Sequence, residues 1–148
     1  MTGEMSLLLV SQDDDLTRAL RAATDGHGRE LVVAESRDQA VTECRERTVE
    51  IALVDLDLPE EEGFEACSEL RRIHFRQPLQ ILLSSSTSEE DFVVRSLEAG
   101  GDDFVEKPAD PSELRIKLRA AGIRLRHQAD LHHEREFYRR AVKQEEEL

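Results

Sequence analysis

The chain has 148 residues, with 33 acids against 20 bases and a formal net charge of −13. That length fits one domain able to bury a core without staples, and a 39% apolar fraction is too high for a disordered tail. No apolar run approaches the roughly 20 residues of a membrane helix, the N-terminus lacks the basic start of a secretory signal, and the acidity argues against a surface that tracks nucleic acid phosphates.

Apolar runs of strand length occur at Leu7–Val10, Leu31–Ala34, Ile51–Val54, Leu79–Leu83 and, more briefly, Phe104–Val105. Helix-period segments separate them at about 15–24, 37–47, 63–74 and 88–99. Leu16 and Leu20 share a face of the first helix, and Phe64, Cys67, Leu70 and Ile73 form a stripe on the third. Ser88 with Asp91 reads as a helix start, and Gly100 as a stop. Gly26, Gly28 and Gly101 serve turns and helix ends; no P-loop or GxGxxG fingerprint is present. Cys44 and Cys67 fall inside helical patterns with no CxxC pair, as in a reducing, cytoplasmic setting. A β-α unit repeated five times predicts a parallel sheet covered on both faces by right-handed crossovers.

The last helix has a clear start: Asp110 as N-cap, Pro111 in the first helical position and Glu113 to close a capping box. No proline follows before Leu148, and 38 helical residues would span about 57 Å, more than the domain's own diameter. Leu114, Leu118, Ala121 and Leu125 can pack on the sheet, with Gly122 a weak point; beyond them Leu131, Tyr138, Ala141 and Leu148 lie on a new face. The charge divides at the same place: residues 1–111 carry 26 acids and 11 bases, a net −15, and residues 112–148 carry 7 acids and 9 bases, a net +2. The expected division is a domain over 1–125 and a helical extension over 126–148, part of a larger regulator. His127, His132 and His133 lie along this helix at spacings that suit no zinc site, and the His132-His133 pair reads as a solvated face.

In an open α/β sheet, ligands sit beyond the carboxyl ends of the strands. There the sequence gathers Ser11, Gln12 and Asp13–Asp15 after strand one, Asp55 and Asp57 after strand three, Ser84–Ser86 after strand four, and Lys107 after strand five. Carboxylates suit a hard cation, and a lysine and a hydroxyl suit a phosphoryl group's oxygens. A carboxylate facing both can be the nucleophile that forms an acyl phosphate.

The segment I-A-L-V-D-L-D-L-P-E-E-E-G-F-E, residues 51–65, and the segment E-A-G-G-D-D-F-V-E-K-P, residues 98–108, resemble the phosphoacceptor stretch and the last strand of receiver domains of two-component response regulators. Pro59 and Gly63 lie four and eight residues after Asp55, Ser85 lies 30 after it, and Lys107 lies 22 after Ser85. The resemblance covers residue 5 to about 125. It implies a flavodoxin-like (βα)5 fold with strand order 2-1-3-4-5, and a chemistry limited to phosphorylation and dephosphorylation of Asp55. Asp55 would accept a phosphoryl group from a histidine kinase or phosphotransfer protein. Lys107 would hold the phosphoryl oxygen and the Asp55 carboxylate, Ser85 would bond the phosphorylated state, and Phe104 would be the switch aromatic. The backbone carbonyl of Asp57 would bind Mg²⁺ beside Asp55, and the Lys107–Pro108 peptide would be cis. The signal would reach a downstream output domain, or a second copy through helix four, strand five and helix five or through the C-terminal helix.

The sequence departs from that family where strand one ends. Receivers usually place there a pair of acids that organise the metal, and here the pair falls on Ser11 and Gln12, with Asp13 next. Two readings follow. In one, Asp13 or the Asp57 side chain replaces the missing acid and leaves weak Mg²⁺ binding. In the other, the chain is a pseudo-receiver that signals by protein contact alone. Asp13 also reads as a plain helix start at the positive dipole end. A flavodoxin-like cofactor binder is a third reading, disfavoured because no phosphate-binding loop follows strand one.

Overall fold

Strands that read as unbroken apolar runs fold into a sheet covered on both sides. The computed structural model describes residues 6–26, 29–74 and 77–147; Gly28 and Leu148 lie outside them. The elements alternate as β1 (Ser6–Val10), α1 (Asp14–Thr24), β2 (Glu30–Ala34), α2 (Arg37–Glu46), β3 (Val49–Asp55), a 3₁₀ turn (Pro59–Glu61), α3 (Glu62–Ile73), β4 (Gln80–Ser85), α4 (Glu90–Glu98), β5 (Asp103–Glu106) and α5 (Pro111–Glu147). The five strands lie parallel in the order β2-β1-β3-β4-β5. The parallel sheet is what the alternation predicts, and its order is the flavodoxin-like (βα)5 one that the resemblance to receiver domains implies.

Successive strand residues point to opposite faces, and the core divides accordingly. Leu8, Val10, Ala52, Val54, Ile81 and Leu83 meet Ala40 of α2 and Ala66, Cys67 and Leu70 of α3. Leu7, Leu9, Ile51, Leu53 and Leu82 meet Leu16 and Leu20 of α1 and Leu114, Ala121 and Leu125 of α5. Burial raises both cysteine thiols, Cys44 to about 12 and Cys67 to about 11, so neither is a thiolate near neutrality.

Two expectations need correction. α4 starts at Glu90, not near Ser88: Glu89 holds the cap position without a side-chain bond, and its carbonyl accepts the Val93 amide at 3.0 Å. Three acids, Glu89, Glu90 and Asp91, favour this start through the helix dipole. β4 runs through Ser84 and Ser85, which the sequence assigns to a loop, because both backbones stay in the ladder opposite Val105 and Glu106. The last helix begins at Pro111 with Asp110 as its cap, as expected: the Ser112 amide donates to Asp110 Oδ1 at 2.9 Å and the Leu114 amide to the Asp110 carbonyl, although among the described residues Glu113 closes no capping box. It continues through Gly122 without a break, and Leu125 is its last buried residue among the described ones.

Candidate functional site

β1, β3, β4 and β5 end side by side, and each delivers polar residues to one crevice. Asp55, the last residue of β3, is 2% exposed, and its carboxylate is held from three sides. Ser11 Oγ donates to Oδ2 at 2.7 Å, Lys107 Nζ donates to the same oxygen at 2.8 Å, and the Asp57 amide donates to Oδ1 at 2.9 Å. A buried carboxylate survives only with such partners.

Lys107 is the hub. Its ammonium also lies 3.0 Å from Asp13 Oδ2 and 3.3 Å from Asp57 Oδ2. Burial works against its charge, but the bonds to Asp55, Asp13 and Asp57 outweigh that and raise its pKa above the usual lysine value. Asp13 is lowered, first by its bond to Lys107. Asp57 is pushed up by burial, but the Ser85 hydroxyl, the Ser86 amide and Lys107 outweigh this and leave it below the usual carboxylate value. The Lys107–Pro108 peptide is cis.

Asp13 takes up the helix-start reading and also faces the lysine. Oδ1 caps α1 by accepting the Asp15 and Leu16 amides at 2.9 and 3.2 Å, while Oδ2 faces Lys107. Ser85 is fully buried but meets Asp57 rather than Asp55: its hydroxyl donates to Asp57 Oδ1 at 2.7 Å. The Ser86 amide closes the same carboxylate at 2.9 Å. Phe104 is half-buried and packs against the core on the α3 side of the sheet. Gln12 leaves the site altogether, its side chain donating to the Glu35 carbonyl at 3.0 Å.

The loop after Asp55 is shaped by backbone as much as by side chains. Glu60 and Glu61 have φ of 57° and 61°, a left-handed conformation that costs about 1–2 kcal/mol per non-glycine residue. The sharp reversal carries α3 back against the end of β3, where a Cβ on Gly63 would stand 2.4 Å from the Asp55 carbonyl oxygen and 2.9 Å from Leu56 Cα. Glycine is the residue that permits this approach. The far end of α3 is tied down by Arg71, which donates to the Gly100 and Leu79 carbonyls at 2.8 and 2.7 Å and pairs with Asp102. No local motif marks Arg71, and the sequence reading missed it, together with the Ser11 bond to Asp55.

The oxygen donors are of the kind that hard cations take. As arranged, however, their lone pairs serve the lysine and neighbouring donors. Among the described residues no three acidic, histidine or cysteine side chains stand together as a metal cage. The two positions after β1 that would supply further carboxylates hold Ser11 and Gln12. The arrangement does not fit a tightly bound resident Mg²⁺.

A family model described as response regulator receiver domain matches residues 7–119. The KDP operon transcriptional regulatory protein KdpE of Escherichia coli is 31% identical over 116 residues, covering 78% of this chain and 50% of that protein. The DNA-binding response regulator MtrA of Mycolicibacterium smegmatis is 36% identical over 129 residues, covering 87% of this chain and 54% of that protein. The chain thus spans about half the length of the curated relatives it matches. A CheY-like receiver domain protein from Methanospirillum hungatei superposes with a TM-score of 0.72 at 21% identity, covering 86% of this chain and 98% of that one. Among the described residues no helix is long and apolar enough to cross a membrane.

Proposed function

This chain belongs to the response regulator receiver domains of two-component systems, and from that premise we propose that it accepts a phosphoryl group on Asp55 from a histidine kinase or phosphotransfer protein. The observation that carries this reading is the buried Asp55 carboxylate at the end of β3 with the Lys107 ammonium 2.8 Å away. An Asp55 oxygen attacks the donor's phosphorus, so an O–P bond forms and the donor's P–N bond breaks. The imidazole nitrogen keeps that bonding pair and takes up a proton. Lys107 meets the charge on the phosphoryl oxygens as it develops. Water later cleaves the acyl phosphate, releasing inorganic phosphate and returning the carboxylate, and the chemistry is limited to these two steps at Asp55.

The resting arrangement sets what must change. Lys107 gives up part of its hold on Asp13 and Asp57, and Ser85 exchanges the Asp57 carboxylate for a phosphoryl oxygen. Phe104 follows Ser85 inward as the switch aromatic. The consequence is a population shift over the face formed by α4, β5 and α5. Receiver domains of this family generally bind Mg²⁺ at their acidic pocket. In this chain we assign it weak binding, with the Asp57 carbonyl, Asp55 and the Asp13 or Asp57 side chain as the available oxygens.

Residues 1–125 form the receiver in this reading, and residues 126–148 a signalling helix toward an output domain or a second copy. Leu131, Phe137, Tyr138 and Val142 are all more than half exposed on that helix, which supports a helix partner. The other reading, a pseudo-receiver working by protein contact without phosphorylation, draws support from Ser11 and Gln12 in place of the acids. Beryllofluoride with Mg²⁺, observed by amide resonances, separates the two. Phosphoryl acceptance predicts shifts at Ser85 and Phe104 that vanish in Asp55→Asn. Unchanged resonances would leave the protein-contact reading.

A further inference from the structure

We infer that the end of the domain opposite Asp55 holds a second binding site, for a small multiply phosphorylated ligand with an apolar or planar body. A cleft of about 570 Å³ opens there between the end of α1, the start of β3 and the middle of α5. Its volume lies in the range of small-molecule sites. Glu50, which lines it, is the second residue of β3, whereas Asp55 is the last. Five residues of strand therefore separate the two sites by roughly 16 Å.

The charge of the cleft runs against that of the chain. In a protein of net −13, four arginines, Arg29, Arg115, Arg119 and Arg126, gather around one opening with Glu50 as the single acid of the lining. Among the described residues none of the four is in an ion pair, and Arg115 reaches only the Ala22 carbonyl, at 3.4 Å. Arg115, Arg119 and Arg126 share one face of α5, and like charges four residues apart weaken a helix. An anion in the cleft would relieve that repulsion. Guanidinium groups are the side chains best matched to phosphate oxygens, and they also stack on planar groups. Leu118, Ile123 and Leu125 supply an apolar wall beside them.

Gly122 is the independent observation. It lies in mid-helix, where glycine is unfavourable, yet beyond its chain neighbours and the helix's own backbone nothing lies within 4 Å of where its Cβ would stand. Packing does not require the glycine, and because it lines the cleft a side chain there would project into the opening. The site also lies where α5 passes Leu125, its last buried residue among the described ones, and leaves the body. A bound ligand would fasten α5 to α1 at that exit and so bias the direction of the C-terminal helix.

The test uses the whole chain and adenosine triphosphate without Mg²⁺ as the probe, followed by amide resonances and calorimetry. Saturable shifts are expected at Ala23, Thr24, Gly122 and Ile123, with Ser85 and Phe104 unmoved. Arg119→Glu should weaken binding by about tenfold or more, the effect of a lost charge-assisted hydrogen bond with added repulsion. Gly122→Leu removes no charge and favours the helix, so it should fold normally and block the probe. Shifts that sodium chloride of equal ionic strength reproduces would overturn the proposal, as would binding that survives both substitutions.

Discussion

The same substitution, glycine to alanine, should have opposite effects at two positions of this fold. At Gly63 the new methyl would meet the Asp55 carbonyl oxygen at 2.4 Å and Leu56 Cα at 2.9 Å, both backbone atoms of the strand end that bears the phosphoacceptor. Neither can swing aside as a flexible side chain would, so α3 must back away. Forcing a carbon into a packed site costs about 1–3 kcal/mol. The contacts with backbone point to the upper half of that range, and a helix-propensity gain of at most about 1 kcal/mol offsets part of it. A net loss of about 2 kcal/mol is expected for Gly63→Ala, or roughly 8 °C in melting temperature for a domain of this size. At Gly122, beyond its chain neighbours and the helix's own backbone, nothing lies within 4 Å of the added methyl, so Gly122→Ala should gain about 0.5–1 kcal/mol from the helix and the stiffer unfolded chain. Urea unfolding and thermal melts of both variants against the parent provide the measurement. A neutral or stabilised Gly63→Ala would refute the close approach of α3 to Asp55, and a destabilised Gly122→Ala would refute the open space at the cleft.

Restoring acids at the end of β1 with Ser11→Asp and Gln12→Asp should raise Mg²⁺ affinity on the order of tenfold, read by titrating the Asp55 region in amide spectra. An unchanged affinity would show that those positions do not limit binding. Stability should also depend on pH through the cluster. Asp13 and Asp57 are lowered from 3.8, so their contribution is present above pH 3.8 and lost as pH falls through their lower folded values. Lys107 is raised from 10.5, so its contribution is complete below pH 10.5 and lost at higher pH. Denaturant titrations across pH should therefore show an acid limb that flattens in Lys107→Met; equal limbs would contradict the lysine hub. Ser84 Oγ is buried with no hydrogen-bond partner among the described residues, so Ser84→Ala should be neutral or stabilising by up to about 1 kcal/mol. A clear loss in unfolding midpoint would reveal a partner for that hydroxyl.

The parallel alternation and the crevice were legible because they rest on simple periodicities, whereas the strand order came only with the resemblance to receiver domains. Apolar runs such as Leu7–Val10 and Leu79–Leu83 mark strands buried on both faces, and the loops that follow them must meet at one edge. Asp55, Ser85 and Lys107 stand at those strand ends, and the resemblance to receiver domains singles them out. Their mutual arrangement was not legible. That Ser85 bonds Asp57, that Ser11 bonds Asp55, and that one Asp13 carboxylate caps α1 while facing Lys107 all depend on which rotamers the packed strand ends allow. The start of α4 was misplaced because Ser88 is a good capping residue by type, whereas three successive acids set the start at Glu90. Arg71 escaped because its partners come from distant elements, and the arginine cleft because it exists only once α5 is packed beside the end of α1 and the start of β3.

The central claim is that Asp55 is a phosphoacceptor served by Lys107. The direct measurement is the intact mass of the chain after incubation with phosphoramidate and Mg²⁺. The account predicts addition of a single acid- and base-labile phosphoryl group, absent from Asp55→Asn and formed far more slowly by Lys107→Met. An unmodified chain, or a phosphoryl group that persists in Asp55→Asn, would contradict it.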